Sequence, residues 1–163
     1  MIDMTVDAVI LGGSCTDDAG IVLDAAAALL AGRAGEVAAR SRNYRTPAWG
    51  FSCDSEFVNC AYLVRTRLTP EALLDCVQDI ERLLGRDREA ERSERERTGQ
   101  RYAARRIDLD ILLYGRQRVE CDRLRVPHAL LAQRDFALVP LAEVLGLSRG
   151  ETLALVKEIE NVK

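Results

Sequence analysis

The segment from Ile107 to Gly115 constrains the fold more than any other, because apolar and polar residues alternate from Ile107 to Ile111. Alternation with a period of two is typical of a β-strand with one buried face. Asp108 and Asp110 then share the opposite face, roughly 7 Å apart. Carboxylates at that spacing repel each other, and a divalent cation such as Mg²⁺ would relieve the repulsion. The alternative is a solvated outer face, which is the commoner case for an isolated Asp-x-Asp in a strand. The predicted buried face carries Ile107, Leu109, Ile111 and Leu113.

The composition indicates one globular domain over residues 1–163. Hydrophobic residues make up 48% and charged residues 30% of the chain, which is ordinary for a folded protein. The net charge of -3 supplies no basic field for nucleic acid. No apolar run approaches the roughly 20 residues of a membrane span, and the first residues do not resemble a signal peptide. We therefore expect a cytoplasmic protein that binds neither nucleic acid nor a membrane, and we expect it to be monomeric.

The cysteine pattern argues against a disulfide framework and against a structural zinc site. The chain has five cysteines, an odd number, and a single histidine to help ligate a metal. No two cysteines form a Cys-x-x-Cys pair. Reduced thiols in a cytosolic protein are the expected state.

Hydrophobic periodicity and capping residues predict strands mixed with helices. Strands are predicted over residues 6–11, 36–44, 57–68, 107–111 and 135–139. Helices are predicted from a cap at Asp17 or Asp18 to residue 31, from a cap at Thr69 to Gly85, and over residues 152–162. Residues 118–126 would form a connection or an edge strand. One face of the strand over 57–68 would carry Phe57, Asn59, Ala61 and Leu63, and the other would carry Val58, Cys60, Tyr62 and Val64.

Two segments interrupt this pattern. Residues 46–51 put the only tryptophan of the chain in a loop, where it could stack on a flat ligand or plug the edge of the core. Residues 86–97 contain five arginines and five acids, a composition too polar for burial, so we expect a mobile loop there. Loops that close over phosphates often carry arginines.

Several motifs occur in an order that points to one family. They are Tyr44-Arg45-Thr46-Pro47, Phe57-Val58-Asn59, Gln78-Asp79-Ile80-Glu81 with Gly85-Arg86, Arg105 through Asp110, and Val126-Pro127-His128 with Arg134-Asp135-Phe136. This series resembles the 6-hydroxymethyl-7,8-dihydropterin pyrophosphokinases of folate biosynthesis, and the resemblance runs from about residue 9 to residue 145. It implies transfer of the terminal two phosphates of ATP to the hydroxymethyl group of the pterin, with release of AMP. It also implies a ferredoxin-like α+β sandwich, with helices packed on a mostly antiparallel sheet.

The resemblance also implies a role for each matching residue. Asp108 and Asp110 would hold two Mg²⁺ ions, and Arg88 and Arg105 would join them in catalysis. The positions that match contacts to ATP, the co-substrate, are Gln78, Glu81, Arg86, Ile111, His128 and Arg134. The positions that match the pterin pocket are Thr46, Pro47, Ala48, Trp49, Phe57, Asn59 and Phe136. Phe57 and Phe136 would sandwich the flat ring, and Asn59 would hydrogen-bond to its edge.

Two positions depart from the family pattern and leave alternatives open. Cys15 follows the glycine turn where asparagine is usual, and Ala129 follows His128 where an aromatic residue is common. Thirteen residues also separate Arg88 from Tyr102, several more than in compact members of the family. Because of Cys15 and this long loop, one alternative is a homologue that binds pterin or nucleotide but turns over poorly. The retained residues argue against it, namely Asp108, Asp110, Arg105 and His128. Another is a ferredoxin-like RNA-binding module, against which the 5% aromatic content and the negative net charge both argue.

Overall fold

The structure is a computed structural model that describes residues 4–47, 56–99 and 106–162. The strands are β1 (Val6–Ser14), β2 (Gly35–Arg40), β3 (Tyr44–Thr46), β4 (Phe57–Thr66), β5 (Asp108–Tyr114), β6 (Val119–Glu120) and β7 (Arg125–Val126). The helices are α1 (Ala19–Arg33), α2 (Pro70–Leu83), α3 (Arg88–Thr98), α4 (Asp135–Leu145) and α5 (Arg149–Glu160), and a 3-10 turn (Leu131–Gln133) precedes α4.

The main sheet is antiparallel and has the order β2-β4-β1-β5, with the short strand β3 paired to β4 beyond the end of β2. Along the chain, β1, α1, β2, β4, α2 and β5 follow the β-α-β-β-α-β order of the ferredoxin-like motif. The predicted fold class is therefore confirmed. The strands β6 and β7 form a separate hairpin in the segment predicted as a connection or an edge strand.

The sheet carries an apolar core on each face, because side chains along a strand point alternately to opposite sides. On one face, α1 and α2 pack against Ile10 and Tyr62, whereas on the other α4 and α5 pack against Leu11 and Ala61. The two predicted faces of β4 are confirmed where they meet these cores. Val58, Cys60, Tyr62 and Val64 join the first core, and Ala61 and Leu63 join the second.

One residue of β5 leaves the predicted face. Ile107, Leu109 and Ile111 pack in the core under α1 and α2, as predicted, but Leu113 packs in the core under α4 and α5. The register between β1 and β5 shifts between Val9 and Ile10, so that the strict alternation ends after Ile111. A bulge of this kind turns the following side chain to the other face.

The predicted strand over residues 135–139 is wrong, because this segment begins helix α4. Alternation over five residues is too short to separate a strand from a helix. The buried residues of α4 follow the helical spacing instead and include Ala137, Leu138, Leu141 and Ala142. The helical spacing of the apolar residues becomes visible only when the sequence is followed beyond Val139.

The predicted mobile loop over residues 86–97 is also wrong, because most of it forms helix α3. The side chain of Asp87 caps this helix by accepting hydrogen bonds from the backbone N–H groups of Glu89 and Ala90, and Gly99 ends it with a φ of 70°. Arginine and glutamate are good helix formers. Their polarity limits burial but does not oppose the helix, and Glu91 is the one buried residue of α3.

Other boundaries differ from the predictions by smaller amounts. Helix α1 continues through Gly32 to Arg33, and the cap at Thr69 is confirmed by its hydrogen bond from the backbone N–H of Ala72. The terminal helix begins at Arg149, earlier than predicted, after a capping box between Ser148 and Glu151. Cys60, Cys76 and Cys121 are free thiols. Within the described ranges, no helix has the length and apolarity to cross a bilayer.

Candidate active site

A cavity of about 550 Å³ opens between the sheet and the start of α4. The ends of β1, β3, β4 and β5 supply one wall, and the segment that leads into α4 supplies the other. The lining residues are Leu11, Gly13, Thr46, Pro47, Phe57, Asn59, Asp108, Asp110, Leu130, Gln133, Arg134, Asp135 and Phe136. We call it the large cavity.

The large cavity combines aromatic walls with one buried amide. Asn59 is 1% exposed, and within the described part of the chain its Nδ2 has no hydrogen-bond partner. Because a buried donor without a partner is costly, this amide is suited to a ligand that offers an acceptor. Gly13 lies opposite Asn59, where an added Cβ would stand 2.7 Å from a ring carbon of Phe57 and 2.8 Å from Oδ1 of Asn59. The cavity therefore requires glycine at this position of β1.

A second cavity, of about 230 Å³, lies beside the first and is named here the small cavity. Its lining residues are Leu74, Gln78, Arg88, Leu109, Asp110, Ile111, Arg123, Leu124, Arg125, His128 and Ala129. Three arginines and one aspartate give this lining a positive balance. Guanidinium groups bind phosphate oxygens in a bidentate manner, so the small cavity is suited to a polyphosphate.

Asp108 and Asp110 stand where the two cavities meet. They alternate along β5 with the buried Leu109, and both are partly exposed. Asp108 lines the large cavity, and Asp110 lines both cavities. Among the residues that the structure describes, no group of three or more possible metal ligands occurs. Two carboxylates nevertheless fit Mg²⁺, which proteins usually hold through one or two carboxylates while water and substrate phosphates complete the shell.

A buried network of charges holds Asp108 from behind. Arg86, whose side chain is 5% exposed, donates from Nη1 to Oδ1 of Asp108 at 2.9 Å and to Oε2 of Glu81 at 2.6 Å. Its Nε donates to Oε1 of Glu91 at 3.0 Å. Glu81 also accepts from Arg88 at 2.9 Å and from the backbone N–H of Leu109 at 2.8 Å. The network thus joins α2, α3 and β5 directly behind the carboxylate pair.

Burial and charge act in opposite directions within this network. Burial raises the pKa of Glu81, while the attraction of Arg86 lowers it. Burial alone would lower the pKa of Arg86, but Glu81, Asp108 and Glu91 raise it above its ordinary value. Burial, assisted by the charge of Asp108, leaves the pKa of Glu81 above its ordinary value, while its hydrogen bonds from Arg86, Arg88 and Leu109 all favour the ionised carboxylate.

His128, the only histidine of the chain, lines the small cavity. Burial lowers its pKa below the ordinary value of 6.5, the positive charge of Arg134 lowers it further, and Asp108 opposes both effects. The ring is therefore mainly neutral at neutral pH. An anion bound nearby would favour the protonated form.

Comparison with known proteins shows the family to which the chain belongs. The family profile described as 7,8-dihydro-6-hydroxymethylpterin-pyrophosphokinase (HPPK) matches residues 8–146. The chain belongs to this family. A 2-amino-4-hydroxy-6-hydroxymethyldihydropteridine pyrophosphokinase of Methylorubrum extorquens is 40% identical over 134 residues, which cover 82% of this chain and 78% of that protein. The protein of the same name from Porphyromonas gingivalis is 37% identical over 133 residues, which cover 81% of this chain and 86% of that protein.

Solved structures agree with the HPPK fold. Wild-type HPPK-DHPS of Plasmodium falciparum superposes with a TM-score of 0.64 at 15% identity, over 97% of this chain and 46% of that one. An HPPK-DHPS in complex with substrates gives a TM-score of 0.63 at 13% identity, over 96% of this chain and 44% of that one. This chain thus spans less than half the length of those proteins, and at such low identity the likeness concerns the fold alone.

The structure brings most of the residues predicted from the HPPK resemblance to the two cavities. The large cavity receives Thr46, Pro47, Phe57, Asn59, Asp108, Asp110, Arg134 and Phe136, and the small cavity receives Gln78, Arg88, Asp110, Ile111 and His128. Arg134, predicted to contact ATP, lies on the large cavity, with its guanidinium carbon 5.5 Å from the centre of the Phe136 ring. Glu81 and Arg86 line neither cavity and lie in the network behind them.

Some predicted residues lie outside the described ranges, and others were missed. Ala48, Trp49 and Arg105 fall in the former group, so their roles remain predictions. Arg123 and Arg125 of the small cavity were not predicted. The sequence pattern could have indicated them, because the two arginines alternate with Leu124 and Val126 just before His128. This segment was predicted only as a connection or an edge strand.

Proposed function

We propose that this HPPK-family chain transfers diphosphate from ATP to the hydroxymethyl group of 6-hydroxymethyl-7,8-dihydropterin and releases AMP. The observation that carries the proposal is the meeting of an aromatic cavity and a cationic cavity at Asp108 and Asp110. A reaction between two bound substrates needs their reacting groups at one point. Here that point is marked by carboxylates.

The pterin is assigned to the large cavity. Phe57 and Phe136 offer aromatic faces to a flat ring, and Nδ2 of Asn59 offers a buried donor that has no partner among the described residues. The volume of about 550 Å³ lies within the usual range for small-molecule sites. Thr46 and Pro47 would close the edge of this site beside β4.

ATP is assigned to the small cavity, with its phosphates directed toward Asp110. Arg88, Arg123 and Arg125 would contact phosphate oxygens, and His128 would add a donor when protonated. Gln78 and Ile111 would contact the rest of the nucleotide. With these assignments, the hydroxymethyl oxygen forms a bond to the β-phosphorus while the bond from that phosphorus to the α,β-bridging oxygen breaks. The pterin diphosphate and AMP result, and the hydroxyl proton is released.

We further propose that Asp108 and Asp110 hold Mg²⁺, as two ions shared with the triphosphate. When bound, Mg²⁺ would neutralise the triphosphate and stabilise the charge that develops at the β-phosphorus. Arg86 and Glu81 would act from behind, by fixing the carboxylate of Asp108 and the backbone of Leu109. They would orient the carboxylates that bind the metal, and such orientation strongly affects metal affinity and activity.

The same reasoning supports coarser proposals about the protein. Both cavities are built from one sheet and its helices, which favours the view that residues 1–163 act as one catalytic domain. We also propose that the protein is a cytoplasmic monomer, as expected from the sequence.

The test is the identity of the nucleotide product. ATP is incubated with the protein, with and without 6-hydroxymethyl-7,8-dihydropterin, and with either Mg²⁺ or EDTA. The proposal expects AMP only when both pterin and Mg²⁺ are present. ADP would mean attack at the γ-phosphorus and a different kinase. Pterin binding without any product would indicate the homologue that binds but turns over poorly.

A further inference from the structure

Glu143 joins two parts of the molecule that are distant in sequence. One of its oxygens, Oε2, accepts from the backbone N–H of Arg42 at 2.6 Å. The other, Oε1, accepts from Nε of Arg42 at 2.9 Å and from the hydroxyl of Tyr44 at 2.6 Å. Glu143 belongs to α4, whereas Arg42 lies just before β3 and Tyr44 is its first residue. We call this arrangement the Glu143 clasp.

The two elements joined by the clasp carry opposite walls of the large cavity. Along β3, Tyr44 pairs with Asn59 and Thr46 pairs with Phe57, so this strand backs two of the cavity residues. Helix α4 begins at Asp135, and its first residues, including Phe136, line the opposite wall. The position of β3 relative to α4 therefore affects the width of the cavity at the end that Thr46 and Phe136 line.

Strand β3 needs an anchor beyond its own ladder. It has three residues, and the chain between it and β2 leaves the regular sheet. There the backbone N–H of Ser41 donates to the carbonyl oxygen of Ala61, and the hydroxyl of Ser41 accepts from the backbone N–H of Ala61, both at 2.9 Å. So short an edge strand has little stability of its own. Among the described residues, the hydrogen bonds from residues 42–46 to α4 all end on Glu143.

The charge of Glu143 strengthens the clasp. The hydrogen bond from Tyr44 lowers the pKa of Glu143 below its ordinary value, so the carboxylate is ionised at neutral pH. The same bond raises the pKa of Tyr44, which keeps its proton and remains a donor. Hydrogen bonds to an ionised acceptor are shorter and stronger than neutral ones.

We propose that Glu143 is a positioning residue that sets the separation of the two walls of the pterin site without contacting the pterin. The inference rests on the proposed function, since it assigns the pterin to the large cavity. It predicts that weakening the clasp loosens pterin binding selectively. The small cavity shares no residue with the clasp, so nucleotide binding should not change.

The test compares Glu143→Gln with Glu158→Gln. The control makes the same chemical change at a surface carboxylate of α5 that pairs with Arg116 at 3.0 Å. Pterin affinity is measured by calorimetry with Mg²⁺ and α,β-methylene ATP present, and KM and kcat are measured by AMP release. For Glu143→Gln we expect the Kd and KM for pterin to rise about tenfold, the effect of losing one charge-assisted hydrogen bond. The kcat at saturating pterin and the nucleotide Kd should stay within about twofold of the wild type.

A second variant keeps the test decisive if Glu143→Gln does not fold. Tyr44→Phe removes a single hydroxyl and should raise the pterin Kd in the same direction by a smaller factor. Combined with Glu143→Gln, it should add less than its separate effect, because the two groups share one interaction. Unchanged pterin Kd in both variants, or an equal loss of nucleotide affinity, would overturn the inference. Failure of the wild type itself to bind pterin would instead overturn the proposed function on which the inference rests.

Discussion

Replacing Arg86 with glutamine should destabilise the protein far more than the same change at a surface arginine. The guanidinium makes five hydrogen bonds to Glu81, Glu91 and Asp108. Glu81 would keep its donors from Arg88 and from the backbone of Leu109. Glu91, whose side chain is 9% exposed, would lose the ion pair that holds it among the described residues. A buried carboxylate would then stand without a compensating charge.

The expected loss in the free energy of unfolding can be estimated from Glu91 alone, because it is the carboxylate that would lose its ion pair. Removing one partner of a buried ion pair costs about 3–5 kcal/mol. The lower end applies, because Glu91 is the one buried residue of α3 and its side chain lies close to solvent, at 9% exposed. A loss of about 3 kcal/mol is a large part of the 5–15 kcal/mol that keeps a domain folded. With an m-value of about 2 kcal/mol per M, the urea midpoint should fall by about 1.5 M.

The matched control is Arg82→Gln, which lies in the last turn of α2 and breaks an exposed ion pair with Asp79. Such a pair contributes at most about 1 kcal/mol, so the urea midpoint should fall by about 0.5 M or less. A second comparison adds Glu91→Gln to Arg86→Gln. Because the double variant no longer leaves Glu91 as a buried charge without its partner, it should be more stable than Arg86→Gln alone. Equal midpoints for Arg86→Gln and Arg82→Gln, or no recovery in the double variant, would refute the reasoning.

Three further predictions test the cavities. Gly13→Ala should weaken pterin binding and lower the free energy of unfolding by about 1–3 kcal/mol, because the added carbon crowds Phe57 and Asn59. The control is Gly32→Ala in α1, where nothing lies within 4 Å of the added carbon, and it should be neutral or stabilising. Asn59→Leu should weaken pterin binding by about tenfold or more, because it removes the buried Nδ2 donor that has no partner among the described residues. Wild-type affinity in this variant would contradict the assignment. Burial lowers the pKa of His128, so the folded protein favours the neutral ring. The stability that this ring contributes is fully present above the unfolded pKa of 6.5 and is lost as the pH falls through the folded pKa. The difference in urea midpoint between about pH 8 and about pH 5.5 should therefore be smaller in His128→Asn than in the wild type, and NMR titration of the single histidine should show an upward shift of the pKa when ATP binds.

Local structural features and the overall fold could be predicted from different properties of the sequence. The cap at Thr69, the two faces of β4 and the carboxylate pair of β5 follow from residue patterns a few positions long, and these predictions agree with the structure. The fold class came from the resemblance of ordered motifs to a family. That resemblance also named most of the residues that line the two cavities.

The errors share a physical cause, which is that tertiary contacts decide between local alternatives. Residues 135–139 alternate like a strand, yet they form the first turn of a helix because the sheet offers an apolar face for Leu138 and Leu141. Leu113 changes face because of a bulge that its own sequence does not signal. Helix α3 is docked by the contact of Glu91 with Arg86, a residue that precedes the helix, and charge composition alone does not predict such a contact.

The central claim is that each cavity holds one substrate and that the two meet at Asp108 and Asp110. A crystal structure with Mg²⁺, α,β-methylene ATP and 6-hydroxymethyl-7,8-dihydropterin tests it most directly, since the bond that would break in ATP is then blocked. The account predicts the pterin between Phe57 and Phe136, the adenosine beside Gln78 and His128, and the β-phosphate next to Asp110. Adenosine in the large cavity, or a triphosphate that avoids the two carboxylates, would contradict it.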